Sequence, residues 1–256
     1  MSKQIIDATV LADARLKSGD RASTANAAIE AGTPSLLPDY AVKEFKNGPL
    51  ANFVLVHNKC GEVADLGELI AWCGSHFRQP HRTGTILEAL RVATAGKQST
   101  SLTRIKYELR IRIARAWKRR RSGTQRFSEL ACYRGEDLNN GLTYDDGANT
   151  FVLRRRKCDA EGECSMAVQI ADRAEELQAL VRAIESDPKP ESKKRCSALR
   201  ILLDPEGLAD FDERRCRALG DAVYALLCPV DAEIVTTNVR DHEPLATALG
   251  RTVRAP

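Results

Sequence analysis

The sequence predicts an α/β fold, on three observations. A short β-branched run near the amino terminus, IIDATVLADA, breaks at Asp7 into a turn or helix. Apolar residues recur at helical spacing through most of the middle of the chain. Near the carboxyl end, AEIVTTN reads as a strand over Glu233 to Thr237, and DHEPLATALG reads as a turn plus short helix.

The elements follow in order. The opening strand places the Asp7 carboxylate at its carboxyl end, where open α/β sheets hold their ligands. SLLPDYAVKEF gives a proline-marked turn and then a short helix carrying Glu44; LANFVLVHN is either a strand or the start of a buried helix, and LGELIAWC continues with helical character. From Thr83 to Ala95 the spacing is mostly helical, and AGKQSTSLT reads as a linker.

The strongest helix comes next. Ile105, Leu109, Ile113 and Ala116 to Trp117 repeat at three to four residues, while Arg104, Arg112, Arg115 and Arg119 occupy other faces. Between Arg104 and Arg126 the chain carries ten Lys or Arg against one acid, Glu108. One side of this helix packs, and the other is cationic. Residues 134–164 change character: their NG and DG dipeptides form turns, and a strand is expected from Thr150 to Leu153, as in a β-hairpin. Helical periodicity returns in MAVQIADRAEELQALVRAIESD and ends before DPKP; after the short apolar run SALRILLD, one helix is expected through DFDERRCRALGDAVYALLC, with Asp221 inside it and Pro229 closing it.

Composition limits the function classes. With 256 residues, 43% of them hydrophobic, the chain can bury a sizeable core, and its formal net charge is a modest +4. No apolar run approaches signal-peptide or transmembrane length, so a soluble, cytoplasmic protein with no membrane partner is expected. The eight cysteines are mostly scattered, and reduced thiols are the default; Cys158 and Cys164 form a local pair that is a zinc-ligand pair, part of a solvated loop, or packed thiols. No GxxxxGK[ST], GxGxxG or GxSxG motif is present, which removes the main support for nucleotide-driven and serine-hydrolase chemistry. Among the histidines, His57 reads as a hydrogen-bonded core or edge residue and His76 and His81 as surface-loop residues, while His242 adjoins Asp241 and is a candidate for substrate contact.

The acids at strand ends and helix starts form a pattern. Asp221 precedes a small-residue and apolar stretch in GDAVYALL, Thr237 and Asn238 end the strand in IVTTN, Asp241 opens RDHEPLATAL, Asp7 follows the first strand, and Glu44 lies in LPDYAVKEF. This arrangement resembles the PIN-domain nucleases over roughly the first and last fifty residues. It departs from that family in having Ala8 and Thr9 after the first acid, and in the long stretch between Glu44 and Asp221.

The resemblance implies a three-layer α/β sandwich with a central, mostly parallel sheet, formed by one domain over residues 1–256 with an insertion or subdomain over 96–200. It also implies a metal-dependent endoribonuclease, a toxin or defence effector, in which Asp7, Glu44, Asp221 and Asp241 are catalytic and hold Mg²⁺ or Mn²⁺, with Thr9, Thr237 and Asn238 orienting ligands or phosphate. Oxygen-only ligands suit those ions better than Zn²⁺. Arg112, Arg115, Lys118, Arg119, Arg120, Arg121, Arg154, Arg155 and Arg156 are the expected nucleic-acid contacts. RNA is the expected polymer and DNA the alternative; an inhibitory protein partner and a homodimer are further expectations from the resemblance. A different class stays open, in which the same fold is a catalytically inactive module that binds nucleic acid or protein.

Overall fold

The computed structural model describes residues 3–76, 84, 86–87, 90–91, 93–94, 101–127, 139–154 and 164–256. Its centre is a five-stranded sheet, all parallel: β1 (Lys3–Ile6), β2 (Ser35–Pro38), β3 (Gln125–Phe127), β6 (Ala232–Val235) and β7 (Thr252–Arg254), in the order β3-β2-β1-β6-β7. The missing numbers belong to a separate antiparallel hairpin, β4 (Leu142–Asp145) with β5 (Thr150–Leu153). The hairpin and its strand from Thr150 to Leu153 are as the turn dipeptides predict.

β1 is central. Ile5 pairs with Leu36 on one side and Ile234 on the other, and Ile5, Ile6 and Ile234 are fully buried, as strands covered on both faces require. The chain leaves β1 toward β2 and leaves β6 toward β7, so strand order reverses between β1 and β6. Right-handed crossovers in opposite directions put α1 (Ala8–Leu16) and α2 (Asp20–Ala31) on one face and the helix Val239–Ala248 on the other. The crevice at the carboxyl ends of β1 and β6 is therefore a topological switch point.

Several elements differ from the sequence expectation. SLLP is a strand, not a turn: all four residues are buried between β1 and β3, and Pro38 ends the strand, so its missing N–H is not needed farther along the ladder. The helix α3 (Asp39–Phe45) then carries Glu44. LANFVLVHN resolves as helix, α4 (Ala51–Lys59). Its Asn58 side chain donates to the Phe151 carbonyl and accepts from the Phe151 N–H, both at 2.9 Å, which ties the hairpin to the main body. SALRILLD is the second half of a longer helix (Pro190–Leu203) that starts with Pro190 in its first turn, where a proline needs no N–H partner.

The expected single helix through DFDERRCRALGDAVYALLC is two helices, Glu213–Leu219 and Asp221–Leu227. Gly220 breaks it with a φ of 45°, in the region that glycine alone adopts cheaply. Asp221 therefore opens a helix rather than lying inside one. Gly220→Ala is expected to cost on the order of 1–2 kcal/mol, the penalty for a Cβ in left-handed backbone, read as a lower urea midpoint at unchanged m.

The basic helix spans Leu102–Lys118 and buries Ile105, Leu109, Ile113, Ala116 and Trp117 against the chain's own core, with Ser101 capping it through the Arg104 N–H at 3.3 Å. The region 96–200 also supplies β3, the edge strand of the main sheet. Buried Asp39 anchors that edge by accepting from Arg121 at 2.8 Å and from Arg126 at 2.6 Å. No described helix is long and apolar enough to cross a membrane.

Candidate functional site

The switch point gathers acids from both ends of the chain. Asp7 follows β1 directly and is buried; its Oδ2 accepts from Thr9 Oγ1 and Thr236 Oγ1, each at 2.6 Å. Burial works to raise the Asp7 pKa, but His242 and the Thr236 and Thr9 hydroxyls outweigh it and hold the carboxyl below the usual range.

Glu44 reaches the same place from α3. It is half-buried and accepts from the Tyr224 hydroxyl at 2.7 Å. Burial, then the negative charge of Asp7, push its pKa up to about 8, against the lowering effect of the Tyr224 hydrogen bond. Tyr224 is fully buried, and its oxygen also accepts the Ala8 N–H at 3.2 Å, satisfying an otherwise orphan donor at the start of α1. Tyr224→Phe removes both bonds. Its expected cost is about 1–3 kcal/mol, the penalty of an unsatisfied buried donor, measured by chemical denaturation; wild-type stability in that variant would count against the assignment.

The other two acids are held by cations of the chain itself. Asp221 Oδ2 accepts from Arg195 at 2.7 Å, and Asp241 accepts from Lys189 at 3.0 Å and from Asn238 at 3.0 Å. The Asp241 carboxyl lies below the usual range: partial burial opposes this, and Lys189 and Asn238 overcome it.

His242 is the residue whose role the sequence reading understated. It is buried, with Nε2 3.2 Å from Asp221 Oδ1 and 3.6 Å from Asp7 Oδ2, and its ring meets Tyr224 edge-on. Nε2 is within ion-pair reach of both carboxylates, while Nδ1 has no hydrogen-bond partner. Burial alone would lower its pKa; Asp221 and Asp7 outweigh that and push it up to about 9. A signal for this was present in the sequence. His242, Leu245 and Ala246 fall on one face of the helix Val239–Ala248, and all three are buried.

The strand β6 stops at Val235, so the hydroxyl on Asp7 comes from Thr236 rather than from the expected Thr237. Thr237 is exposed, and its N–H donates to Thr9 Oγ1 at 3.2 Å, while Asn238 serves Asp241. A cavity of about 400 Å³ adjoins this crevice, lined among others by Thr9, Thr237, Lys17, Arg21 and Phe53.

A metal fits the donors in chemistry but not in placement. Carboxylate oxygens are the ligands that Mg²⁺ and Mn²⁺ prefer. Yet among the described residues no three His, Cys, Asp or Glu side chains are grouped so as to hold a metal ion. His242 stands between Asp7 and Asp221, and Arg195 and Lys189 occupy carboxylate oxygens of Asp221 and Asp241.

The expected nucleic-acid contacts divide. Arg112 donates to the Leu16 and Lys17 carbonyls at 3.1 and 2.8 Å, Arg120 lies on the Trp117 ring of the basic helix itself at 4.0 Å and donates to the Asn139 carbonyl at 3.4 Å, and Arg121 pairs with Asp39, so these three serve structural contacts. Arg115, Lys118, Arg119 and Arg154 are exposed. Arg155, Arg156 and Cys158 lie outside the described residues, as does His81. His76 stacks on Trp72, and His57 bonds Asn58 at 2.9 Å.

The chain matches no protein-family model, no curated protein and no solved structure.

Proposed function

We propose that the chain is a nucleic-acid phosphodiesterase of the PIN type, acting on RNA with a Mg²⁺ or Mn²⁺ ion. The observation that carries this reading is that Asp7 and Asp221, from opposite ends of the sequence, face one another across His242 at the switch point, with Glu44 near enough to feel the charge of both and bonded to Tyr224. Nothing in simple fold stability calls for three acids there: a carboxylate taken from water costs several kcal/mol unless compensated. The exposed cations of the basic helix supply the attraction that a polyanion needs.

A divalent ion at such a site supplies a Lewis acid and an activated water. With Arg195 on Asp221 and Lys189 on Asp241, the chain's own groups set the state of each acid. His242, with Thr236 and Thr9, keeps Asp7 ionised, and the two hydroxyls orient it. Tyr224 fixes Glu44, whose raised pKa lets it keep or release a proton near neutral pH. Arg195 and Lys189 set the directions of Asp221 and Asp241.

The second reading, an inactive binding module, is favoured by one specific observation: each of the four acids already has a hydrogen-bonding or cationic partner within the chain. Cleavage separates the two. Labelled structured and single-stranded RNA, and single- and double-stranded DNA, are incubated with Mn²⁺, Mg²⁺ or EDTA, for the wild type and Asp221→Asn. RNA cleavage that needs the ion and vanishes in the folded variant supports the nuclease. Nucleic-acid binding that is the same in EDTA, with no cleavage of any polymer, selects the binding module.

A further inference from the structure

Three acids of the crevice are matched one for one by cations of the chain. Asp221 Oδ2 takes Arg195 at 2.7 Å, Asp241 Oδ1 takes Lys189 at 3.0 Å, and His242 Nε2 stands 3.6 Å from Asp7 Oδ2 as well as 3.2 Å from Asp221 Oδ1. The fourth, Glu44, accepts from the neutral Tyr224 hydroxyl instead. Carboxylates gathered at one place need positive charge from some source, and here the chain delivers it. Two of the three cations come from the start of one helix, Pro190–Leu203: Lys189 is its N-cap residue, and Arg195 follows in its second turn.

These two are held differently. Arg195 is anchored twice, because its Nε also donates to the Leu219 carbonyl at 3.1 Å, and only 12% of its side chain is exposed. It joins its own helix to the break at Gly220 and belongs to the packing. Lys189 makes one bond to the crevice, with 37% of its side chain exposed and 41% of that of Asp241. Its backbone is fixed: the Lys189 N–H donates to Asp187 Oδ1 at 3.1 Å, Ser192 Oγ donates to Asp187 Oδ2 at 2.7 Å, and Pro188 and Pro190 flank it. The charge itself rides on a flexible four-carbon stem. An ion pair this open to water contributes little to stability, so moving Nζ away costs little and needs no change of backbone.

We propose that Lys189 is a displaceable counter-ion that holds the place of a divalent cation on Asp241 and so sets how tightly the crevice takes one. This rests on the reading of the crevice as a Mg²⁺ or Mn²⁺ site. Asn238 holds Asp241 Oδ2 at 3.0 Å, so Oδ1 is the oxygen that Nζ and an ion compete for. Each weakens the other's hold by the same factor. Arg195 stays on Asp221 throughout. The poor placement for a metal described above then has its cause at Asp241 in one side chain that is able to leave.

The test reads ion binding directly. Mn²⁺ titrations at neutral pH without nucleic acid, followed by the paramagnetic resonance of the free ion, compare wild type, Lys189→Gln, Lys189→Gln/Asp241→Asn and Lys194→Gln. Lys194 is exposed on the same helix and makes no ion pair among the described residues, so its loss gives the same change in net charge without releasing an acid. Lys189 is part-exposed and Lys194 exposed, so both single variants keep the fold, which circular dichroism checks. Expected is Mn²⁺ binding about tenfold or more tighter in Lys189→Gln than in wild type, within the usual range of coupling between competing ligands. The gain disappears in the double variant, and Lys194→Gln stays within about twofold of wild type, as screening of a remote surface charge requires. Equal affinity in Lys189→Gln and wild type overturns the proposal, as does a gain that Lys194→Gln matches or that survives the loss of the Asp241 charge. RNA cleavage separates this outcome from the nuclease reading. Ion-dependent cleavage by wild type, with unchanged Mn²⁺ affinity in Lys189→Gln, removes the counter-ion and leaves the nuclease; tighter Mn²⁺ binding in a chain that cleaves no polymer does the reverse.

Discussion

Asp7→Asn is expected to lower metal-dependent cleavage by roughly a thousandfold or more, equivalent to about 4 kcal/mol in the barrier, while leaving the fold intact. The hydrogen bonding at Asp7 explains why both halves of that result belong together. Thr9 and Thr236 both donate to the same oxygen, Oδ2. An asparagine with its Oδ1 in that place accepts both hydroxyls, so the local framework survives. What disappears is the negative charge, at the point where β1 delivers it to the crevice. The charge is also what makes the neighbouring groups unusual: Asp7 is the second cause, after burial, of the raised Glu44 pKa, and it helps hold the proton on His242. Glu44 is therefore expected to titrate below about 8 in the variant, followed by the carboxyl signal of labelled glutamate. A folded Asp7→Asn protein that cleaves as well as wild type removes Asp7 from the chemistry. A Glu44 signal that does not move shows that the two carboxyls are not coupled.

How far the sequence reveals this site depends on the kind of information each residue needs. Asp7 is legible because it marks an abrupt change from a β-branched run to a helix, whereas the sequence pattern puts Asp221 inside a helix that it in fact opens. The stripe of the basic helix is equally legible, since a seventeen-residue helix repeats its period several times. SLLP is not. Four buried residues show no alternation, and the terminal proline is read as a turn when its meaning depends on where β1 and β3 lie. LANFVLVHN is a short apolar run of the kind that periodicity cannot assign to helix or strand. Gly220 breaks a helix through its backbone torsion, which composition does not display. The arginines show the same limit. Arg112, Arg120 and Arg121 look like their neighbours in the sequence, and only the fold reveals that carbonyls, an indole ring and Asp39 engage them. The partnership of His242 with Asp7 and Asp221 is a tertiary fact, although its place on the buried face of the last helix could have been read from spacing.

In EDTA the protein is expected to lose stability as pH rises from neutral to about 9, and Mg²⁺ is expected to restore much of that loss. The sign follows from two groups whose pKa is raised on folding. His242 goes from an ordinary 6.5 to about 9, so its contribution is complete below 6.5 and is lost as pH rises through 9. Glu44 goes from 4.5 to about 8, so folding favours its protonated form, and that contribution is complete below 4.5 and fades as pH rises through 8. Asp7 and Asp241 act in the opposite sense, since their lowered pKa values give stability that is present above 3.8 and lost as pH falls below it. At alkaline pH the two protons leave, and the carboxylates face one another with less positive charge between them. An added divalent cation then finds more negative charge and less competition, so its stabilising effect grows with pH, the linkage expected of a ligand that binds only the folded state. Thermal melting from pH 6 to 9.5, with EDTA or with excess Mg²⁺, reads this directly, each 1 kcal/mol moving Tm by about 2–4 °C in a chain of this size. His242→Gln is expected to start lower at pH 6 and to flatten the EDTA curve, because the proton whose loss produces much of the slope is no longer there. Parallel EDTA and Mg²⁺ curves in the wild type would mean that the ion does not bind where these protons leave. The cluster would then be a network of internal ion pairs, and the binding-module reading would stand in place of the nuclease.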